Sequence, residues 1–217
     1  MELRDVIYKR QSIRKYTDED VLQEDLLKIL DSARVAPSGK NCQNWHYVVI
    51  KEDSIKQKIG DAIAAKNEEI AKKMDEKDPD KGLRFRKFAK NFTLFGIKAP
   101  ALIVVYATTY YPSGYHEYKF AEYPQEDLDR LFIRNPGMQN IGAAVQNMTL
   151  TAIDLGYGSC WMTGQNYAAD EIEEVIKKEI GFEKEGYFLA CMLAIGVPQE
   201  GARSPDKKSL EEICTFA

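Results

Sequence analysis

The chain has 217 residues, of which 44% are hydrophobic and 29% charged, and its formal net charge is −4. That length suits one domain with a substantial core, and the composition is ordinary for a globular protein. The acidic balance argues against nucleic-acid binding, and two histidines leave little scope for a histidine-rich metal site. Neither a transmembrane segment nor a secretion signal is evident. We therefore expect a single cytoplasmic domain over residues 1–217, away from membranes, with four free cysteines.

The spacing of apolar residues predicts the elements of the first half of the chain. Apolar residues every three or four positions predict amphipathic helices, and runs of β-branched and aromatic residues predict strands. In chain order we predict a helix from Leu3 to about Arg10, a helix with an apolar stripe (Leu22, Leu26, Leu27, Ile29, Leu30 and Ala33), a strand at 47–50, a charged helix at 53–75, a loop at 77–82, a helix at 83–95 and a strand at 101–106.

The second half contains the least regular part of the sequence, residues 109–136. A loop of this length inside a compact domain is more often functional than idle. The segment 139–155 is apolar on nearly every side, which predicts a helix buried in a core or against another subunit. We also predict a helix at 168–180, a strand at 187–195 and a tail that is ordered only against another surface. This alternation, without the regular spacing of a doubly wound sheet, favours an α+β fold.

A first polar cluster, Arg10-Gln11-Ser12-Ile13-Arg14, follows the first helix. Two arginines four residues apart, with a serine between them, present guanidinium groups and a hydroxyl to a single phosphate. A simpler interpretation is also open at this point. Cations favour the C-terminus of a helix, and exposed arginines are often no more than surface charge.

A second polar cluster runs from Pro37 to Trp45, where the second helix ends. Asn41 and Gln43 offer carboxamides that both donate and accept hydrogen bonds. With Trp45 they occupy alternate positions, which share one face of an extended segment, so we expect a wall of two amides and an indole. Each residue alone also suits a helix stop or a satisfied turn. Together the two clusters predict a site for a phosphorylated, planar cofactor.

Two further stretches are rich in glycine or in positive charge. Residues 156–164 match neither the dinucleotide fingerprint nor the phosphate loop. We predict a helix stop, a short buried strand and a turn at Thr163-Gly164, where glycine lets a backbone N–H approach a ligand. Arg203, Lys207 and Lys208 form a basic cluster in the tail, which is either solvated or an additional phosphate ligand.

In their order along the chain, these motifs resemble the nitroreductase family. They are Arg-x-Ser-x-Arg, Pro-Ser-x-x-Asn-x-Gln-x-Trp, a long apolar helix, Gly-x-Gly-Ser-x-Trp and a late Ile-Gly-x-Pro with a basic tail, and they span roughly residues 3–213. The resemblance implies an α+β, three-layer fold with a central, mostly antiparallel sheet and helices on both sides. It further implies an intertwined homodimer that holds FMN non-covalently at two interface sites. The helix at 139–155 would form the dimer core, and the tail at about 197–217 would cross the partner.

The resemblance also implies which residues bind the cofactor. Arg10, Ser12 and Arg14 are expected at the ribityl phosphate, with Lys207 or Lys208 assisting. Pro37, Ser38 and Asn41 are expected to come from the partner subunit and to lie along the flavin. Thr163-Gly164 is expected to bring a backbone amide to the flavin N5. Gln11, Gly39, Gln43 and Met162 complete the expected binding set, and no catalytic side chain is required.

Two departures from the family pattern lead to their own expectations. Asn44 stands where the family usually has proline, and we expect it to loosen the wall built by the second cluster. Lys207-Lys208-Ser209 stands where the family usually has Arg-Lys-Pro, which weakens bidentate contact with a phosphate because lysine has no guanidinium fork.

The resemblance implies a ping-pong oxidoreductase that passes hydride from NADH or NADPH through flavin N5 to an electron-poor acceptor, such as a nitroaromatic or a quinone. Aromatic residues between 85 and 118 would line the acceptor pocket, although plain core packing also accounts for them. An alternative function is a flavin-holding sensor or storage module without turnover. A hydrolase is disfavoured because the chain has no Gly-x-Ser-x-Gly elbow and few candidate bases.

Overall fold

A computed structural model describes residues 1–201 and 205–217 of the chain. Arg203, one of the three predicted tail cations, lies outside the described residues. None of the helices in the described ranges is both long enough and apolar enough to cross a membrane.

Within these ranges the chain forms helices, strands and three short 3-10 turns at Gly39–Asn41, Phe95–Lys98 and Asn166–Ala168. The helices are α1 (Leu3–Lys9), α2 (Gln23–Arg34), α3 (Asp53–Asp75), α4 (Pro79–Phe92), α5 (Tyr115–Phe120), α6 (Gln125–Ile133), α7 (Pro136–Asp154) and α8 (Ala169–Ile180). The strands are β1 (Trp45–Ile50), β2 (Ala101–Thr108), β3 (Gly158–Met162) and β4 (Tyr187–Gly196).

The four strands form one sheet in the order β1-β2-β4-β3, and every neighbouring pair is antiparallel. β1 and β3 are therefore the two edge strands. Val104 of β2 pairs with Met192 of β4, which in turn pairs with Met162 at the end of β3. β2 and β4 lie in the middle of the sheet and are buried along almost their whole length.

Side chains of the sheet alternate between two hydrophobic cores, as the two-residue period of a strand requires. On one face Leu102 and Val104 pack with α3 and α8. On the other face Ile103 and Val105 pack with α2 and α7. The result is three layers, with helices on both sides of an antiparallel sheet, and the predicted α+β fold is confirmed.

The predicted helix at 53–75 has the same bounds as α3, and the predicted helix at 139–155 begins earlier, at Pro136. Proline is favoured at the first position of a helix because the N–H that it lacks has no partner there. Part of the apolar stripe predicted for the second helix is buried, but Leu22 and Leu27 are 52% and 57% exposed.

The predicted loop at 77–82 is wrong over most of its length, because α4 begins at Pro79. Asp78 caps this helix by accepting the N–H groups of Asp80 at 3.0 Å and Lys81 at 3.1 Å. The pattern Asp-Pro-Asp is typical of a turn, yet a capping aspartate followed by proline also starts a helix.

The irregular loop predicted at 109–136 is also wrong, since α5 and α6 occupy much of it. α5 has six residues, too few to produce a helical repeat in the sequence. Both helices are joined by aromatic contacts. The Tyr115 ring lies 4.8 Å from the Tyr111 ring and 5.5 Å from the Phe132 ring, measured between centroids. Tertiary packing of aromatic residues therefore orders a segment whose local pattern is weak.

Lys56 is a buried cation that the charge pattern of α3 hid among solvated lysines. It is 3% exposed, and its Nζ donates to the carbonyl oxygens of Ala99 at 2.7 Å and Pro100 at 3.4 Å. Asp53, one turn earlier, pairs with the same Nζ at 2.8 Å. Lys56 thus satisfies the two carbonyls that precede β2 and fixes α3 to the start of that strand.

We predict that Lys56→Met lowers the free energy of unfolding by about 1–3 kcal/mol, because the buried Ala99 carbonyl and the partly buried Pro100 carbonyl lose their donor. Lys58→Met is the matched control, since Lys58 is exposed and pairs with Glu179 at 2.6 Å. The control is expected to cost about 0–1 kcal/mol, as exposed ion pairs do. Urea unfolding of both variants measures the difference, and equal losses would contradict the role given to Lys56.

Candidate functional site

The segment Arg10–Arg14 is an extended stretch that covers the free edge of β3. Ser12 forms an isolated parallel bridge with Ser159, and the Ile13 N–H donates to the Ser159 carbonyl at 2.9 Å. Ile13 packs in the core and is 4% exposed. Because side chains alternate along an extended segment, Arg10, Ser12 and Arg14 share the opposite side.

The two arginines lie near Cys160 of β3. Burial raises the pKa of the Cys160 thiol, while Arg14, a hydrogen bond with Ser12 and Arg10 act in the opposite direction. Within the described residues, neither arginine forms an ion pair with a carboxylate. The Arg14 guanidinium lies 5.8 Å from the centre of the Phe95 ring. Two uncompensated guanidinium groups beside a hydroxyl make this a positive site suited to an anion.

The other end of β3 leads into the predicted turn at Thr163-Gly164, which is confirmed. The Asn166 N–H donates to the Thr163 carbonyl at 3.1 Å and closes the turn. Among the turn and loop hydrogen bonds of the described residues, none has the N–H of Thr163 or Gly164 as its donor. Both residues are exposed. At about 3.3 Å per residue, Gly164 lies roughly 16 Å along the chain from Ser159, so one strand links the arginines to this turn.

The side chains of two residues in the expected binding set, Met162 and Gln11, lie away from the arginines of the first cluster. Met162 is 4% exposed and belongs to the core on the α3 side of the sheet, so only its backbone borders the turn. Gln11 lines a separate cavity of about 270 Å³ together with Lys9, Gly158 and Pro198. Neither side chain lies with the row formed by the first cluster's arginines and serine.

The second cluster lies at the opposite corner of the sheet. Three strand spacings separate β1 from β3, which is roughly 14 Å at about 4.8 Å each. Trp45, the last residue of this cluster, pairs with Ala107 near one end of β2. Ser159, beside the first cluster, is level with Ala101 at the other end of β2. A single chain therefore keeps the two clusters apart.

The predicted wall of Asn41, Gln43 and Trp45 is wrong. Gly39–Asn41 forms a 3-10 turn, and the φ angles of Lys40, Asn41 and Gln43 are 54°, 52° and 45°. The alternation of an extended strand does not apply to such a backbone. Trp45 is 8% exposed and packs in the core beside α2 and α7. Asn41 and Gln43 remain exposed and present their carboxamides to solvent.

Asn44 anchors this cluster, so the expectation that it loosens the wall is wrong. It is 2% exposed, and its Nδ2 donates to the carbonyls of Thr108 at 3.2 Å and Gly137 at 3.3 Å. Its Oδ1 accepts the Nδ2 of Asn140 at 2.9 Å. Asn140 in turn accepts the Gly39 N–H at 3.0 Å. Two buried amides thus tie the cluster to β2 and to the start of α7.

The rest of the second cluster is held by short contacts. The Ser38 hydroxyl accepts the Gln43 N–H at 3.1 Å, and Pro37 is exposed. Gly39 packs so closely on Tyr110 that an added Cβ would lie 2.5 Å from the Tyr110 hydroxyl oxygen. Next to Tyr110 opens a cavity of about 590 Å³. Its lining comes from the region 109–136 and includes Pro112, Ser113, Tyr118, Asp127, Arg130, Leu131, Arg134 and Pro136.

Lys207 and Lys208 lie in a tail whose described residues, 205–217, are all exposed. No hydrogen bond or ion pair of the described residues involves either lysine. Their expected contact with the phosphate therefore stays a prediction.

The arrangement around β3 fits an elongated, anionic ligand with a flat polar end. The uncompensated Arg10 and Arg14 suit a phosphate, and the N–H groups of the Thr163-Gly164 turn suit an acceptor atom. Next to that turn, the Oε1 of the fully buried Gln165 has no hydrogen-bond partner within the described residues. Across residues 1–201 and 205–217, no group of three or more His, Cys, Asp or Glu side chains is placed to hold a metal ion.

Several residues that shape the site escaped the sequence analysis. Asn140 is one of four amides in α7, with Gln139, Gln146 and Asn147, so nothing in the sequence singles it out as the buried one. Gln165, Asn166 and Tyr167 directly follow the predicted turn, yet nothing local marks them as anchors. Phe95 is one of many aromatic residues in its region, and its position under Arg14 depends on tertiary packing.

A model of the nitroreductase family matches residues 7–197. The chain belongs to the nitroreductase family. The match covers both polar clusters and the Thr163-Gly164 turn, and it confirms the resemblance inferred from the motifs.

Three known proteins illustrate what this chain is similar to. The chain is 58% identical to a BluB-like flavoprotein from Clostridium difficile 630, covering 100% of this chain and 99% of that one, with a TM-score of 0.98. It is 28% identical over 195 residues to the "Putative NADH dehydrogenase/NAD(P)H nitroreductase" of Archaeoglobus fulgidus, covering 90% of this chain and 84% of that protein. A nitroreductase with bound FMN from Bacteroides fragilis is 21% identical, with a TM-score of 0.70 and coverage of 100% and 99%, and shares the fold.

We predict that Asn44→Ala lowers the free energy of unfolding by about 1–3 kcal/mol, because Asn140 and two carbonyls lose buried partners. Asn91→Ala is the control, since Asn91 is exposed on α4. It is expected to stay within about 0.5 kcal/mol of the unmodified protein. Thermal or urea unfolding compares the two. Similar stabilities for both variants would show that Asn44 is not an anchor.

Proposed function

We propose that this nitroreductase-family chain is an FMN-dependent oxidoreductase. It takes hydride from NADH or NADPH and reduces an electron-poor small molecule, such as a nitroaromatic or a quinone, in a ping-pong cycle. The observation that carries the proposal is the pairing, along β3, of two uncompensated arginines with a turn whose N–H groups have no turn or loop partner. When bound, FMN supplies the hydride-transfer chemistry at N5.

The phosphate end of the cofactor would be held by Arg10, Ser12 and Arg14. Their side chains share one side of an extended segment, and charge-assisted hydrogen bonds to a phosphate are stronger than neutral ones. Lys207 or Lys208 would add a further cation from the tail. The names of the family relatives support FMN as the cofactor, since one is a flavoprotein by name and another is named with bound FMN.

At the other end, the Thr163-Gly164 backbone would donate a hydrogen bond at N5. A fixed donor at the atom where charge changes assists reaction because it needs no reorganisation. Carboxamides of Asn41 and Gln43 would serve the polar edge of the ring, with Pro37, Ser38 and Gly39 lying along it. No side-chain acid or base is assigned a role in proton transfer.

The proposal requires two chains, because one chain keeps its two clusters at opposite corners of the sheet. In a twofold dimer, the second cluster of each chain would lie beside the first cluster of the other chain, which makes two equivalent sites. Large apolar side chains remain exposed outside the cores and would be covered in such a dimer. They include Leu3 and Tyr8 of α1, Trp161 of β3, and Leu210, Ile213 and Phe216 of the tail. The outer face of α7 would take part in the same contact.

The cavity beside Tyr110 is the proposed pocket for the electron acceptor. Its tyrosine rings offer flat apolar faces, and its arginines offer hydrogen-bond donors for nitro or carbonyl oxygens. Because Tyr110 lines the cavity and packs against Gly39, the cavity would lie next to the flavin that the second cluster contacts in the partner's site.

Anaerobic reduction of the purified protein tests this function. We expect the protein, loaded with FMN, to lose its visible flavin absorbance within seconds of adding NADH or NADPH, and to regain it on adding a quinone or nitroaromatic. Loaded protein that bleaches only over many minutes would instead indicate a storage or sensing module. A chain that takes up no FMN would contradict the proposal outright.

The phosphate assignment has its own control. Arg14→Ala is expected to weaken FMN binding about tenfold or more, because one charge-assisted contact contributes roughly 1.5–3 kcal/mol. Riboflavin, which lacks the phosphate, is expected to bind the unmodified protein and the Arg14→Ala variant with equal affinity. Arg4→Ala, on the exposed side of α1, serves as the matched arginine control. An equal loss for both ligands would contradict a phosphate contact.

A further inference from the structure

The Thr163-Gly164 turn is held in place by residues other than its own. Thr163 and Gly164 are both exposed. The three residues that follow are each anchored to a different element. We call residues 165–167 the anchor segment.

The first two residues of the anchor segment bind the sheet. Gln165 is fully buried, and its Nε2 donates to the Met162 carbonyl at 3.1 Å, at the end of β3. The Asn166 Nδ2 donates to the Ala190 carbonyl of β4 at 2.7 Å. These bonds fix the turn to β3, from which it emerges, and to the neighbouring strand β4.

The third residue of the anchor segment binds the helical layer. The Tyr167 hydroxyl donates to the Oδ1 of Asn67 on α3. Asn67 is 7% exposed, and its Nδ2 donates to the Thr93 hydroxyl at 3.1 Å. Thr93, at the end of α4, is 2% exposed and donates to the Ala89 carbonyl at 2.7 Å. A chain of hydrogen bonds, partly buried at Tyr167 and buried at Asn67 and Thr93, therefore runs from the anchor segment to both α3 and α4.

The same end of α4 also touches the turn itself. A Cβ added to Gly164 would lie 3.8 Å from the Phe92 carbonyl oxygen and 3.9 Å from Thr93 Cγ2, which is ordinary contact distance. Thr93 thus borders Gly164 directly and is linked to it a second time through Asn67 and Tyr167. A shift of the turn would have to break a buried hydrogen bond or move α4.

We propose that Tyr167, Asn67 and Thr93 are positioning residues for hydride transfer, because they fix the Thr163-Gly164 N–H groups where the cofactor meets them. The inference rests on the proposed function. These side chains act through the turn and do not touch the reacting atoms. A hydrogen-bond donor that is fixed before the reaction stabilises the transition state more than one that must become ordered during the reaction. Small displacements of such a donor slow the reaction strongly.

Tyr167→Phe tests this proposal, because it removes only the hydroxyl that donates to Asn67. Tyr157→Phe is the matched control, since the Tyr157 hydroxyl donates to Asp25 at 3.0 Å, far from the turn. A second pair changes Thr93, with Thr93→Val removing the hydroxyl at nearly constant shape and Thr93→Ser retaining it. Three measurements are made on each protein: amide hydrogen exchange of residues 163–168 without cofactor, FMN affinity, and the dependence of the flavin bleaching rate on NAD(P)H, which gives the limiting rate and the half-saturating concentration.

We expect Tyr167→Phe and Thr93→Val to raise amide exchange at residues 163–168 about tenfold and to lower the limiting bleaching rate about tenfold. FMN affinity and the half-saturating NAD(P)H concentration are expected to change less than about threefold, because the phosphate and ring contacts remain. Tyr157→Phe and Thr93→Ser are expected to match the unmodified protein in all three measurements.

Other results would overturn the proposal. Faster exchange with an unchanged bleaching rate would mean that the hydrogen bonds only stabilise the fold. Unchanged exchange would mean that they do not fix the turn. Equal rate losses in Tyr157→Phe would point to a general loss of stability. An unmodified protein that takes up no FMN overturns the proposed function, and this inference with it. An FMN-loaded unmodified protein that bleaches quickly, matched by Tyr167→Phe, overturns this inference alone.

Discussion

The edge position of β3 is the constraint on which the rest of the site depends. An edge strand exposes unpaired backbone groups, and here Ser12 and Ile13 cover them by pairing with Ser159. That pairing buries Ile13 and turns Arg10 and Arg14 outward as a row beside the strand. The same strand carries the Thr163-Gly164 turn at its far end. One short strand therefore sets the spacing between the positive end of the site and its backbone donors.

At both edges of the sheet, buried amides hold exposed functional groups in place. At the corner of β1, Asn44 and Asn140 fix the loop that presents Asn41 and Gln43. At the end of β3, the buried amide of Asn67 holds the segment that follows the Thr163-Gly164 turn through its hydrogen bond with Tyr167. Buried amides that are fully paired specify one local geometry, since any rearrangement leaves a polar group without a partner. The strand order then separates the two exposed clusters, which is why the proposed site would be completed by a second copy of the chain.

Periodicity predicted the buried strands and the long helices, because the spacing of apolar residues within one element is local information. It failed for α5, which is too short to repeat, and at Pro79, where the same residues suit both a turn and the start of a helix. The motifs singled out Arg10, Ser12, Arg14 and Thr163-Gly164, which the structure places along β3 and whose binding role stays a prediction. The expected extended wall was wrong because three residues adopt positive φ. The anchoring roles of Asn44, Lys56 and Tyr167 depend on partners distant in sequence, which a single sequence does not reveal.

Subunit complementation tests the two-chain site most directly. One chain would carry Arg10→Ala and Arg14→Ala, the other Asn41→Ala and Gln43→Ala, and each homodimer is expected to lack NAD(P)H-dependent flavin bleaching. Co-expression of both chains creates mixed dimers in which one site has no substitution and the other has all four. With random twofold pairing, activity is expected to return to about one quarter of the unmodified level. Full activity in the second homodimer, or no recovery in the mixed preparation, would contradict a site shared between two chains.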